Sequence, residues 1–164
     1  MARLYPRQNR GLFLDLIGWS EGTSTSAYTQ DDGYDVIVLG VDGSAKTFAN
    51  YARHPGISVL VNRKTGLRST AAGRYQILKT YAQSYIKSLA LPDFGPESQD
   101  WIALQLIREC GALDEIDRGE IAKAIALCSS RWASFPGNKY GQPSHTVEAL
   151  VAKFDELTVA RVAA

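Results

Sequence analysis

The run Tyr34-Asp35-Val36-Ile37-Val38-Leu39 constrains the fold more than any other segment of this chain. Its β-branched and aromatic residues favour an extended strand, and Gly40 with Asp42-Gly43 supplies the turn chemistry to end one. Ser58-Val59-Leu60-Val61 is a second predicted strand and Arg68-Ser69-Thr70 a third, so a small sheet or extended lobe is expected across residues 34 to 72. Elsewhere apolar residues recur at helical spacing. One extended region among helical segments points to an α+β fold, mostly helical, with a small β-rich lobe in the N-terminal third.

The helical stretches have readable ends. Leu12, Leu16 and Trp19 follow an i, i+4, i+7 stripe that Phe13 and Ile17 widen, so the first helix is expected from near Pro6 to about Trp19, with Gly22 ending it. Residues 23 to 32 are polar and read as a surface loop. After Gly73, Tyr81, Tyr85, Ile86 and Leu89 share one helical face, closed by Leu91-Pro92. Gly95-Pro96 opens a helix carrying Trp101, Leu104, Gln105, Ile107 and Arg108, which Gly111 stops. Ile116, Ile121, Ile125 and Cys128 mark short helices interrupted at Gly119. Ser144 is the predicted N-cap of a last helix whose stripe is Val147, Leu150, Val151, Phe154 and Leu157.

Size and charge narrow the function classes. At 164 residues the chain is expected to form one domain, residues 1–164, with a core that needs neither disulfides nor a metal. The 18 Lys and Arg nearly balance the 17 Asp and Glu, which argues against a nucleic-acid partner. The absence of a run of 18 apolar residues argues against stable membrane insertion. Arg3, Arg7 and Arg10 precede an apolar run from Gly11 to Ile17 in the manner of an export signal. Asp15 interrupts that run and no clear small-x-small cleavage site follows, so it is read as the first core helix. Cys110 and Cys128 read as free thiols with a disulfide left open, and His54 and His145 lie too far apart in sequence to suggest a metal site. No metal and no cofactor is predicted.

Three segments could carry chemistry. Trp19-Ser20-Glu21-Gly22-Thr23 places a carboxylate at the C-terminal end of an apolar helix, where desolvation and the negative end of the helix dipole both favour the protonated form. A general acid working near neutral pH requires such a group, although an ordinary solvated glutamate fits the same position. Gly73-Arg74-Tyr75-Gln76 offers a close backbone approach, a fork of donors, a flat ring and an amide, a set suited to a sugar or equally to a helix start with one buried tyrosine. The stretch from Trp132 to Pro143 surrounds aromatic and amide side chains with glycines and prolines in a loop, the kind of segment that often lines a binding site.

Taken together, Trp19-Ser20-Glu21-Gly22-Thr23, Gly33-Tyr34-Asp35-Val36-Ile37-Val38, His54-Pro55, Gly73-Arg74-Tyr75-Gln76, Ser98-Gln99-Asp100, Gly111-Ala112-Leu113, Ile116-Asp117-Arg118-Gly119 and Tyr140-Gly141-Gln142 resemble, in order and spacing, the lambda-type phage endolysins. These are a lysozyme-like family of peptidoglycan lytic transglycosylases. The likeness covers roughly residues 11 to 154 and departs from the family between Leu39 and Ala49, where the loop looks longer. It implies a lysozyme-like fold and Glu21 as the single catalytic acid. By position it also implies Asp35, Tyr75, Gln76 and Tyr140 as substrate-binding residues, with Arg74, Trp132 and Gln142 as further members.

The implied reaction cleaves the β-1,4 bond between N-acetylmuramic acid and N-acetylglucosamine without water, leaving 1,6-anhydro ends, for host cell lysis. Hydrolytic glycosidases generally use two carboxylates. Lysozymes of the T4 type place an Asp and a Thr at spacings that fall here on Gln30 and Val36. A hydrolytic muramidase using Glu21 with Asp35 or Asp31 remains the alternative enzyme, and a non-catalytic glycan-binding module the alternative of another class. The resemblance further implies a monomer acting on peptidoglycan glycan strands. It would be made in the host cytoplasm and reach the periplasmic wall after a holin-type protein permeabilises the membrane.

Overall fold

The protein, described from a computed structural model, is defined for residues 1–5, 8–43, 46–137 and 144–163. Its elements follow the order α1 (Asn9–Ser20), β1 (Val36–Ile37), β2 (Lys46–Thr47), β3 (Val59–Asn62), β4 (Leu67–Ser69), α2 (Lys79–Ser88), α3 (Pro96–Glu109), α4 (Leu113–Asp117), α5 (Ile121–Cys128) and α6 (Val147–Val162). The chain divides into two compact units, one formed by Met1–Glu21 with Ala103–Ala164 and the other by Gly22–Ile102.

In the first unit α1 is buried along most of its length, with every residue from Gly11 to Gly18 enclosed. The stripe seen in the sequence therefore understates it: α6 and α4 both pack against α1, and α5 packs on both of those. Burying both sides of the helix also buries Asp15, at 4 % exposure. The Ala2 amide donates to its Oδ1 at 2.6 Å and the Arg161 guanidinium pairs with its Oδ2. A buried carboxylate is tolerable when it is paired and hydrogen-bonded in this way. A β-carbon on Gly11 would lie 2.1 Å from the Tyr5 carbonyl oxygen, so only glycine allows the N-terminal segment to press against the helix. The helix begins at Asn9; the predicted start near Pro6 lies outside the described residues.

The stripe of α6 is as expected, with Leu150 and Phe154 buried and Val147, Val151 and Leu157 half-buried. Its cap differs. Thr146, not Ser144, holds the extended conformation before the first turn, and its Oγ1 accepts the Ala149 N–H at 3.2 Å. Phe13 and Phe135 meet edge to face at 6.1 Å within the same core.

The second unit contains two separate two-stranded antiparallel sheets instead of one, β1 with β2 and β3 with β4. Val36 pairs with Thr47, and Val59 with Ser69, with a register shift between Leu60 and Asn62. The predicted strand 34–39 shrinks to Val36–Ile37 because Tyr34 and Val36 donate backwards to the Asp31 and Gly33 carbonyls in a turn. Val38 instead donates to Ala71, and single bridges join Ile37 to Ala72 and Ala72 to Ile77, so residues 71 to 73 extend the strand's surroundings. β2 is fully exposed and carries no apolar alternation, which is why the sequence did not announce it.

Two helices leave one aromatic residue of their expected stretches at the surface. In α2 Ala82 is buried with Tyr85, Ile86 and Leu89 half-buried, while Tyr81 is 46 % exposed. In α3 Leu104 and Ile107 are buried and Ile102, Ala103 and Leu106 join them, while Trp101 is 41 % exposed. Tyr34, Tyr75, Phe94, Ile37 and Ile77 form the second unit's core, with Phe48 stacked on Phe94 at 6.2 Å. Among the described residues no helix is long and apolar enough to cross a membrane.

Candidate active site

Glu21 follows directly on α1, its amide donating to the Ile17 carbonyl at 2.9 Å, and Gly22 at φ +70° turns the chain away. The residue is half-buried. Burial pushes its carboxyl above the ordinary carboxylate value, while hydrogen bonds from the Ser134 hydroxyl and amide pull the other way. The Ser134 hydroxyl lies 2.6 Å from Glu21 Oε1. Ser20 Oγ lies 3.0 Å from Ser134 Oγ and 3.0 Å from the Ile17 carbonyl oxygen. The Ser134 carbonyl accepts the His145 amide at 2.9 Å, and the His145 ring packs on Trp19 at 4.6 Å. The first unit thus holds a carboxyl group that burial makes harder to ionise than an ordinary one, fixed by a loop hydroxyl. That is the physical requirement for a general acid.

In the second unit the segment Gly73-Arg74-Tyr75-Gln76 wraps around Gln99. Gly73 is at φ +79°, and a β-carbon there would fall 2.1 Å from Gln99 Oε1. That oxygen accepts the Arg74 amide at 2.9 Å, while Gln99 Nε2 donates to the carbonyls of Tyr34 at 3.0 Å and Phe94 at 2.9 Å. Thr23 Oγ1 donates to the Arg74 carbonyl at 2.6 Å. One buried amide side chain therefore ties three backbone segments together.

The sequence placed Asp35, Arg74, Tyr75 and Trp132 at a ligand, and the structure buries all four at 5 %, 2 %, 1 % and 3 % exposure. The Tyr75 hydroxyl donates to Asp100 Oδ1 at 2.6 Å, beside the Tyr34 hydroxyl at 2.7 Å from the same oxygen. Burial and the adjacent Asp100 carboxylate hold both phenols well above the usual tyrosine value. Arg74 Nη1 lies 2.9 Å from Asp32 Oδ2, and its guanidinium sits over the Tyr34 ring at 5.2 Å. Asp35 accepts from the Thr29 hydroxyl and from the Gln30 amide at 2.9 Å. Trp132 packs on Phe135 at 5.9 Å. Each of the three polar side chains is thus engaged within its own unit, and the indole of Trp132 belongs to the core of the first unit, so the structure encloses all four.

Gln76 is half-exposed and stands at φ +49°, a backbone region unusual for a residue with a β-carbon, with its Nε2 donating to the Gly73 carbonyl at 3.1 Å. Asp31 accepts the Tyr51 hydroxyl at 2.9 Å. Tyr140 and Gln142 lie outside the described residues. Among the described residues no group of three His, Cys, Asp or Glu is arranged to hold a metal ion.

Sequence reasoning missed Ser134, Ser20, Gln99 and Asp100 as members of these networks. The signal for Ser134 was faint but present, a hydroxyl in the aromatic loop already singled out. Gln99 and Asp100 were visible only as uncharacterised residues of a motif, because a buried amide or carboxylate on an apolar helix face implies partners without naming them.

Comparison with known proteins gives the family and the fold. The family model described as Endolysin matches residues 11–159. The endolysin of Escherichia phage P2 is 50 % identical over 154 residues, covering 92 % of this chain and 93 % of that protein. The endolysin of Escherichia phage lambda is 50 % identical over 148 residues, covering 90 % and 89 %. The solved structure of bacteriophage lambda lysozyme complexed with a chitohexasaccharide superposes with a TM-score of 0.83 at 49 % identity, covering 91 % of this chain and 93 % of that one. A second lambda lysozyme structure gives a TM-score of 0.79 at 48 % identity. The fold is that of lambda lysozyme, and the chain belongs to the endolysin family.

Proposed function

We propose that this endolysin cleaves the glycan strands of bacterial peptidoglycan by transglycosylation, with Glu21 as its acid and then its base. The observation that carries the reading is the Glu21 carboxyl, held above its ordinary pKa by burial and fixed by Ser134. In the first step the neutral carboxyl protonates the oxygen linking N-acetylmuramic acid to N-acetylglucosamine. In the second the resulting carboxylate takes the proton from the C6 hydroxyl of the same muramic acid. The C6 oxygen then bonds to C1, the glycosidic bond having broken, and a 1,6-anhydro end forms. No water is consumed, because the nucleophile belongs to the substrate.

The three acidic residues that a hydrolytic route would draw on support this choice. Asp31, Asp32 and Asp35 each accept a hydrogen bond or ion pair from their own unit. A second catalytic carboxylate must instead activate water or attack C1. Gln76, Tyr140 and Gln142 are proposed to contact sugar, with Asp35, Arg74, Tyr75 and Trp132 holding the surrounding backbone and core. The lambda relative solved with a chitohexasaccharide supports a glycan ligand. The protein is further proposed to act as one 1–164 domain and as a monomer. It would be made in the host cytoplasm and reach the wall once a holin-type protein opens the membrane.

Glu21→Gln tests the assignment. The variant keeps size and polarity and removes the transferable proton. On outer-membrane-permeabilised Gram-negative cells its lysis rate should fall by at least the roughly 10²- to 10⁴-fold contribution of positioned acid–base catalysis, with binding to purified peptidoglycan retained. Lysis at the wild-type rate would remove Glu21 as the acid, the outcome a non-catalytic glycan-binding module also predicts.

A further inference from the structure

The Glu21 carboxyl is met by a second hydroxyl at one remove, and the proton count of that arrangement fixes its direction. Ser134 Oγ lies 2.6 Å from Glu21 Oε1 and 3.0 Å from Ser20 Oγ, which itself lies 3.0 Å from the Ile17 carbonyl oxygen. Each serine has one hydroxyl proton. When Glu21 is ionised, the Ser134 proton points to the carboxylate, so Ser134 Oγ is left to accept and Ser20 must donate to it. When Glu21 carries a proton facing Ser134, the same atoms can run the other way. Glu21 then donates to Ser134, Ser134 to Ser20, and Ser20 to the Ile17 carbonyl, which is a pure acceptor. With Glu21 neutral three protons serve the three contacts; with Glu21 ionised two remain, and Ser20 gives up the Ile17 carbonyl, which still accepts the Glu21 amide at 2.9 Å. The switch needs no heavy atom to move.

From this geometry we infer that Ser134, oriented by Ser20, is the positioning residue that holds the Glu21 carboxyl in one place as it changes from acid to base. The inference rests on Glu21 being the acid–base residue, and it gives the two-step reaction a fixed proton donor and acceptor without side-chain reorientation between steps. The backbone supports it. Ser20 and Glu21 are consecutive residues at the end of a buried helix, and the Ser134 amide also donates to the Glu21 carboxyl. The Ser134 carbonyl accepts the His145 amide, which fixes the backbone that carries the hydroxyl.

The charged groups facing this helix end act at one remove. His145 stacks on Trp19, and Lys153 places its ammonium 5.4 Å from the Trp19 ring centre while pairing with Glu156 at 2.8 Å. Among the described residues burial and Ser134 account for the shift of Glu21, with no charged neighbour among its causes. The two hydroxyls are therefore the adjustable part of the site.

Ser134→Ala, Ser20→Ala and Ser134→Thr test this, read by ¹³C-carboxyl NMR titration of Glu21 in the free enzyme and by the pH profile of kcat/KM. Removing the Ser134 hydroxyl deletes a donor that stabilises the anion, so the Glu21 midpoint and the basic limb of the profile should both move up by about one pH unit. Ser20→Ala should move them the same way by less, because Ser134 loses the bond that polarises it. Ser134→Thr, which keeps the hydroxyl, should restore the wild-type midpoint. In Ser134→Ala kcat should drop about tenfold with KM unchanged, as expected for a positioning residue and not for a binding one. Titration curves of either alanine variant that coincide with wild type would overturn the inference, even if the melting temperature falls. Water-containing products with the NMR shifts as stated would leave it standing and remove transglycosylation alone.

Discussion

Replacing Gly73 by alanine is the sharpest test of how the second unit is held together. Two penalties meet at that position. The backbone stands at φ +79°, where a β-carbon costs roughly 1–2 kcal/mol. The new β-carbon would also sit 2.1 Å from Gln99 Oε1, which has nowhere cheap to go. That oxygen is bonded to the Arg74 amide, and the amide nitrogen behind it to the Tyr34 and Phe94 carbonyls. Displacing the side chain leaves at least one buried group unsatisfied, at roughly 1–3 kcal/mol. The sum is about 2–5 kcal/mol, which for a chain of this size lowers the melting temperature by roughly 4–20 °C. Gly66→Ala is the control, since Gly66 has φ +69° but nothing within 4 Å of its missing β-carbon. It should bear only the backbone term. Thermal unfolding followed by far-UV circular dichroism compares the two. If Gly73→Ala melts no lower than Gly66→Ala, Gln99 does not organise this segment and the account of the loop fails.

Three further outcomes follow from the ionisable groups. His54 Nε2 donates to the Ile77 carbonyl and its Nδ1 accepts the Gly56 amide, so the ring is neutral, and burial keeps its folded pKa below the usual value. Its contribution to stability is present above the unfolded value of about 6.5 and is lost as pH falls below it; melting temperatures of wild type should drop across that range more steeply than those of His54→Gln. Glu21 has the opposite sign. A raised folded pKa means stability is lost as pH climbs past the ordinary carboxylate value, so Glu21→Gln should melt higher than wild type at about pH 8 and no higher at about pH 4. Cys110 is held below the usual thiol value by the Cys128 thiol, aided by Arg131, whereas Cys128 is pushed up; iodoacetamide should label Cys110 first, and equal labelling of both would contradict the arrangement.

The helices were legible because burial of one face leaves a period in the sequence, and α6 shows it plainly in Leu150 and Phe154. Faces misread by a residue or two, as at Trp101 and Tyr81, reflect large aromatic residues standing at the surface where apolar character alone suggests a core. Asp15 was read as a break in an apolar run; its partner Arg161 is 146 residues away and no local pattern joins them. The same holds for Ser134 and Glu21, 113 residues apart. Glu21 itself was legible from its place at a helix end after apolar residues. Arg74 and Tyr75 were legible as residues of consequence but not as buried ones, because a donor fork or a phenol reads alike whether it meets a sugar, Asp32 or Asp100.

The central claim is that bond cleavage uses the substrate's own hydroxyl. Digestion of purified peptidoglycan in ¹⁸O-labelled water, followed by mass spectrometry of the released muropeptides, tests it directly. The account predicts products with 1,6-anhydro muramic acid ends, lighter than hydrolytic products by the mass of one water and free of ¹⁸O at C1. Reducing muramic acid ends carrying ¹⁸O would contradict it and assign the enzyme to the hydrolytic muramidases.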